Sequence, residues 1–139
     1  MKEKKILIVF ADFYKDISSP MLSAVEEYDF DDKHEYYFEV INVPGVFEIP
    51  VTIARYMDTF DGFVALGCVI KGKTPHFDFI SSSTTDAIMK LSIENKKPIG
   101  NGIITCLNKK QALERANPKK KNKGGEAARA VKLILKNFE

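Results

Sequence analysis

The chain is 139 residues long, with 45% hydrophobic and 29% charged side chains, enough apolar material for one compact domain with a true core and too little chain for two. Its 21 basic and 19 acidic side chains leave a formal charge of +2, a balance that argues against a dedicated nucleic-acid binder. The longest apolar stretch, residues 62–70, falls far short of the roughly 20 residues of a membrane-spanning helix, so a helical membrane protein is excluded.

The basic start, Met-Lys-Glu-Lys-Lys, runs directly into a strand-like segment, without the apolar core and cleavage site of a signal peptide. A cytoplasmic protein is expected. Residues 4–10 are short, apolar and β-branched, the pattern of a strand buried on both faces and central in a sheet. Residues 18–28 open with Ser18, Ser19 and Pro20 and place Met21, Leu22 and Val25 at helical spacing, which predicts an amphipathic helix with the proline near its first turn. The acidic residues 29–35 read as a connection, with His34 as an exposed loop histidine, and residues 36–43 alternate as a second strand closed by Pro44-Gly45.

Pro50 opens a short helical pattern through Ile53, Ala54 and Met57, and Asp61-Gly62 breaks it before a strand over residues 63–70. Residues 77–95 carry Phe77, Ile80, Thr84, Ala87, Ile88 and Leu91 in the three-and-four step of a helix covering a sheet. Residues 98–106 form a fourth strand-like run whose two glycines imply a close approach to its backbone. A short helix over 109–116, a loop over 117–121 and an amphipathic helix over 122–137 complete the chain. Parallel strands need crossovers, and each crossover here contains a helix. The expected fold is α/β: a three-layer α/β/α sandwich around a central four-stranded parallel sheet, one domain over residues 1–139.

In such sheets ligands bind beyond the carboxyl ends of the strands, which singles out residues 12–15, 44–48, 71–76 and 101–105. Lys71-Gly-Lys-Thr-Pro-His76 joins a buried strand to a long helix. Free amides at that helix start, with lysines beside them, make an anion site suited to phosphate; a plain glycine turn is the competing reading, and the spacing is not that of a P-loop. The imidazole of His76 can move protons beside a bound phosphate, or can simply hydrogen-bond its neighbours at a helix start. Asp78 can orient it, or merely favour the positive end of the helix dipole. Glu48 sits between two apolar side chains just past a strand, where it serves either a ligand hydroxyl or the cap of the next helix. Phe13 can stack on a flat heterocycle or pack in the core.

Arg115 and Lys123 read, on bare sequence, as solvated charges. Cys68 and Cys106 lie in apolar runs without metal-ligand spacing and read as buried thiols. Charge is skewed along the chain: residues 1–108 hold 11 basic and 16 acidic side chains, residues 109–139 hold 10 and 3.

Taken together, Val43-Pro-Gly-Val-Phe-Glu-Ile-Pro50, Ala65-Leu-Gly-Cys-Val-Ile-Lys-Gly-Lys-Thr-Pro-His-Phe-Asp78, Gly102-Ile-Ile-Thr105, and Gln111-Ala-Leu-Glu-Arg-Ala116 followed by Asn122-Lys-Gly124 closely resemble the 6,7-dimethyl-8-ribityllumazine synthase family. The resemblance covers about residues 5–135, in the family's order and spacing. It implies a flavodoxin-like fold. It also implies condensation of 5-amino-6-(D-ribitylamino)uracil with 3,4-dihydroxy-2-butanone 4-phosphate, giving the lumazine, phosphate and water in the penultimate step of riboflavin synthesis, with no metal and no organic cofactor.

By that resemblance Phe13 stacks on the pyrimidine, and Glu48 with the backbone at Val46 and Phe47 holds the ribityl chain. The backbone of Val69 and Ile70 meets the pyrimidine edge. Gly72, Lys73 and Thr74, with Lys71 beside them and Arg115 from a neighbouring subunit, bind the phosphate; Lys123 lies near the uracil and His76 is the acid/base residue. Lys71 stands where the family more usually has arginine, Asn101 where a phenylalanine often packs beside the pyrimidine, and Tyr14 where asparagine is common. The family forms homopentamers with sites between subunits, and some members assemble twelve pentamers into an icosahedral shell of sixty chains. Asn117-Pro-Lys-Lys-Lys121 replaces a glycine-containing turn there, and its three lysines would repel across a symmetry axis unless anions intervene. Riboflavin synthase is a candidate partner on the same grounds.

Two rival classes fit poorly. A flavodoxin-like receiver needs an aspartate ending its third strand, where this chain has Gly67-Cys68, and a flavin-phosphate loop would be rich in Ser, Thr and Gly where this chain has Ala11-Asp-Phe-Tyr-Lys15. A basic-tailed RNA binder would interleave aromatic residues with its lysines, and the basic end has only Phe138.

Overall fold

The computed structural model describes residues 3–30, 35–73 and 75–139; His34 and Thr74 lie outside the described residues. Strands β1 (Lys4–Ala11), β2 (Tyr36–Val43), β3 (Gly62–Ile70) and β4 (Ile99–Cys106) form one parallel sheet in the order β2-β1-β3-β4. Helices α1 (Lys15–Glu26), α2 (Ile49–Arg55), α3 (His76–Asn95), α4 (Lys109–Ala116) and α5 (Lys123–Asn137) connect and cover it, with a 3-10 turn at Val46–Glu48 leading into α2.

The pleat sends alternate side chains to opposite faces, and the core divides accordingly. Ile6, Ile8 and Phe10 with Val64 and Leu66 pack under α1, α4 and α5. Leu7 and Val9 with Phe63 and Ala65 meet Ile49, Ile53 and Ile88 of α2 and α3. These are the three layers expected. As its unbroken apolar run predicts, β1 is central, with residues 6–9 wholly buried. The chain leaves β1 toward β2 and later returns past it to β3, so the winding reverses between β1 and β3 and opens a crevice at their carboxyl ends.

Three local expectations are corrected. Helix α1 begins at Lys15, not at Ser18, so Pro20 is its sixth residue rather than a first-turn proline. The added turn is held by the wholly buried Ile17 and by a 2.8 Å ion pair between Asp16 and Lys109 of α4. Ser18, expected to cap, is wholly buried and its Oγ has no partner among the described residues. Strand β2 shows little of the expected alternation: only Tyr36 and Val43 are buried. It is an edge strand, and Tyr36 and Phe38 instead gather round Phe30, with ring centroids 4.9 and 5.1 Å away. Finally, α3 begins at His76, one residue before the start of the expected 77–95 helix, with Pro75 at its cap position.

The glycines of β4 have the expected cause. A Cβ at Gly100 would collide with the carbonyl oxygen of Ala127, because α5 lies with its backbone directly on the strand. At the other end of that contact a Cβ at Gly124 would sit 2.6 Å from the carbonyl oxygen of Met21, where α5 crosses α1. Helix α3 covers the opposite face through Thr84 and Ile88, yet its outer side presents Phe79, Met89 and Ile93, which are 68%, 58% and 65% exposed. Among the described residues no helix is long and apolar enough to cross a membrane.

Candidate active site

At the crevice, Phe13 follows β1 and stands 73% exposed, edge-on to Tyr14 at 4.9 Å. Beside it Asn42 Nδ2 donates to the Asp12 carboxylate at 3.0 Å, pinning the ends of β1 and β2 together. Strand β3 ends in the half-buried Val69 and Ile70, and the Lys71 amide donates to the Cys106 carbonyl at 2.8 Å, extending the pairing with β4. The chain then leaves the sheet through the exposed Lys71, Gly72 and Lys73 and enters α3 at the exposed His76.

Among the described residues no side chain caps this helix start. Its first amides and the positive end of a five-turn dipole therefore face outward, beside two lysines that form no ion pair among the described residues. A Cβ at Gly72 would meet nothing within 4 Å, and no glycine has a left-handed φ. Nothing in the described chain requires glycine at position 72. The residues from which the sequence predicts an anion cradle thus lie together at one exposed helix start, with His76 as its first helical residue.

The carboxylate expected on the second strand end lies in the 3-10 turn. Val46 is buried beneath it, Phe47 is 63% exposed and Glu48 is half-buried. Glu48 occupies the cap position of α2, but its side chain accepts no bond from the helix amides. The capping role is thereby excluded, and among the described residues the carboxylate has no hydrogen-bond or ion-pair partner. It borders a cavity of about 380 Å³ between α2 and α3, lined also by Phe47, Val51, Ser83 and Thr84. The Thr84 Oγ1 is buried there without a partner among the described residues. Sequence periodicity marks Thr84 only as a core-facing position of α3, and gives no sign that it borders a cavity.

Arg115 and Lys123 meet elsewhere, with Asn101 and Thr105, round a groove of 340 Å³ along β4. Neither is a plain solvated charge. Arg115, in the last turn of α4, is half-buried, and its Nη1 donates to the Thr105 carbonyl at 2.7 Å and to Cys106 Sγ at 3.7 Å. Lys123 opens α5 and pairs with Glu126 at 3.0 Å. Residues 101–105 do not follow a strand, as expected, but lie within β4, which runs on to Cys106. Among the described residues only β3 pairs with β4, so residues 101–105 border the open edge of that strand. Asn101 Oδ1 accepts the Ile103 amide at 3.0 Å on that strand.

A single copy thus brings Lys71, Gly72, Lys73 and His76 together at one helix start, while Glu48 and Arg115 border two cavities that share no residue. The family model described as 6,7-dimethyl-8-ribityllumazine synthase matches residues 3–138. A 6,7-dimethyl-8-ribityllumazine synthase of Bartonella tribocorum is 44% identical over 138 residues, covering 96% of this chain and 89% of its own. That of Zymomonas mobilis is 44% identical over 129 residues, with 91% of each chain covered, and that of Agrobacterium fabrum is 41% identical over 142 residues, with 97% and 95% covered. The chain belongs to the 6,7-dimethyl-8-ribityllumazine synthase family.

Proposed function

We propose that this chain condenses 5-amino-6-(D-ribitylamino)uracil with 3,4-dihydroxy-2-butanone 4-phosphate to give 6,7-dimethyl-8-ribityllumazine, phosphate and water, as a cytoplasmic step of riboflavin biosynthesis. The observation that carries this reading is the family match over residues 3–138. The uncapped start of α3, with Lys71, Gly72, Lys73 and His76 beside it, accords with it.

An amine adding to a ketone must lose and pass on protons. Phosphate must then leave, and ring closure needs a further proton transfer. One imidazole beside an anion cradle serves all three, and much of the remaining acceleration comes from holding two small reactants together. In this reading His76 is the acid/base residue. Lys71, Gly72, Lys73 and Thr74 hold the phosphate with Arg115 of an adjacent copy. Phe13 stacks on the pyrimidine, Glu48 with the backbone at Val46 and Phe47 holds the ribityl hydroxyls, the backbone of Val69 and Ile70 meets the ring edge, and Asn101 and Lys123 lie beside it.

The chain acts as one domain over residues 1–139 within a homopentamer. Two features support sites shared between copies: the cavities of Glu48 and Arg115 are separate in one chain, and the outer face of α3 leaves Phe79, Met89 and Ile93 uncovered. Association of pentamers into a sixty-chain shell, and binding of riboflavin synthase, are further steps of the same proposal.

The test is to mix the purified protein with both substrates and follow lumazine absorbance against the uncatalysed background. Acceleration is expected. His76→Ala should slow it about 10- to 100-fold without abolishing it, and Arg115→Ala should raise KM for the butanone phosphate by about 10-fold or more while leaving KM for the pyrimidine nearly unchanged. Sedimentation of the same preparation should give five chains or a multiple of five. A folded, oligomeric protein with no acceleration would overturn the assignment.

A further inference from the structure

Arg115 is held by a thiol. Its Nη1 carries two N–H groups, one bonded to the Thr105 carbonyl at 2.7 Å and the other directed to Cys106 Sγ at 3.7 Å, a length suited to the large radius of sulfur. Nε and Nη2 keep three donors, and no further partner for them is found among the described residues. These donors form the planar fork that recognises two phosphate oxygens at once. Cys106 is itself fixed. It is almost wholly buried, and the likewise buried Cys68 lies on the adjacent strand β3. The row Cys68, Cys106, Arg115 therefore runs from the core between β3 and β4 out to the groove along the open edge of β4.

We propose that Cys106, backed by Cys68, is a positioning residue for substrate phosphate: it occupies the second N–H of Arg115 Nη1 and so turns the Nε–Nη2 edge of the guanidinium toward the anion. This rests on the reading of Arg115 as a phosphate ligand given above. A carbonyl alone leaves the guanidinium free to swing about one hydrogen bond. Two acceptors on the same nitrogen fix both the plane of the group and the edge it presents. The thiol contributes no charge and touches no substrate, so its loss should weaken recognition of the phosphate without disturbing chemistry or pyrimidine binding.

The experiment compares Cys106→Val, which is larger by about one methyl group and removes the acceptor, with Cys106→Ser, which keeps an acceptor, and with Arg115→Ala. KM for each substrate, kcat and the dissociation constant of inorganic phosphate are measured on the assembled protein. Cys106→Val should raise both KM for the butanone phosphate and the phosphate dissociation constant by about three- to ten-fold, with kcat and KM for the pyrimidine unchanged. Cys106→Ser should restore most of the loss, and Cys106→Val should add nothing in the Arg115→Ala background. Normal phosphate binding in Cys106→Val, alongside a weakened Arg115→Ala, would overturn this proposal and leave the proposed function standing. An Arg115→Ala protein with unchanged phosphate binding would overturn the phosphate role of Arg115 and this inference with it. Equal losses in Cys106→Val and Cys106→Ser, or losses shared by both substrates, would mark Cys106 as a packing residue and also overturn it.

Discussion

Gly72 shows how a single residue separates the demands of folding from those of binding. Most glycines here are fixed by neighbours that a methyl group would strike, but a Cβ at Gly72 enters open space. Gly72→Ala should therefore leave the thermal unfolding midpoint unchanged while weakening inorganic phosphate binding by about ten-fold, through obstruction of the amides behind it. Glu48 makes the complementary point. Its residue type and place past a strand are legible in the sequence, yet sequence leaves capping and ligand binding equally open. The structure removes the capping reading, because Glu48 occupies the cap position and makes no cap bond. For Arg115 the sequence shows only a charge late in a short helix. Its two acceptors come from β4, ten and nine residues earlier, and no local pattern announces them.

At the scale of elements, periodicity locates every strand and helix, and the errors fall at ends and edges. The start of α1 is misread because Ser18-Ser-Pro20 resembles a helix start, while burial of Ile17 and the Asp16–Lys109 pair extend the helix by a turn. That pair lowers the Asp16 carboxyl through its bond to Lys109, but both groups are exposed and such pairs contribute little. The start of α5 depends on an unusual residue. Asn122 has φ 48°, in the left-handed region, and its Oδ1 accepts the Gly125 amide at 3.2 Å. Alanine would lose the cap bond and tolerate that backbone less well than asparagine. Asn122→Ala should destabilise the fold by about 1–2 kcal/mol, measured by urea unfolding.

For the whole molecule, the sheet buries two thiols in one place. Burial pushes the Cys68 thiol from 9.0 up to about 12, with the neighbouring Cys106 adding to the rise. The folded state thus keeps a proton that the unfolded chain releases above pH 9. The resulting contribution to stability is complete below pH 9 and is lost as pH climbs from 9 toward 12. Denaturant titrations of the parent should show a steeper loss of stability over that window than those of Cys68→Ala, whose unfolding carries no such proton release. Equal slopes would show that Cys68 titrates normally in the folded protein.

The sequence by itself determined the α/β alternation, the central place of β1, the basic, glycine-containing loop before α3 and the family, because each is written in local periodicity or in contiguous motifs. Only the tertiary structure decided which edges stay open, that Glu48 caps nothing, that residues 101–105 lie within a strand at the sheet's open edge, and that a buried thiol meets Arg115. Those facts depend on which strands become neighbours and how closely α5 lies on β4. Such contacts join residues far apart in the chain, and local pattern holds no record of them.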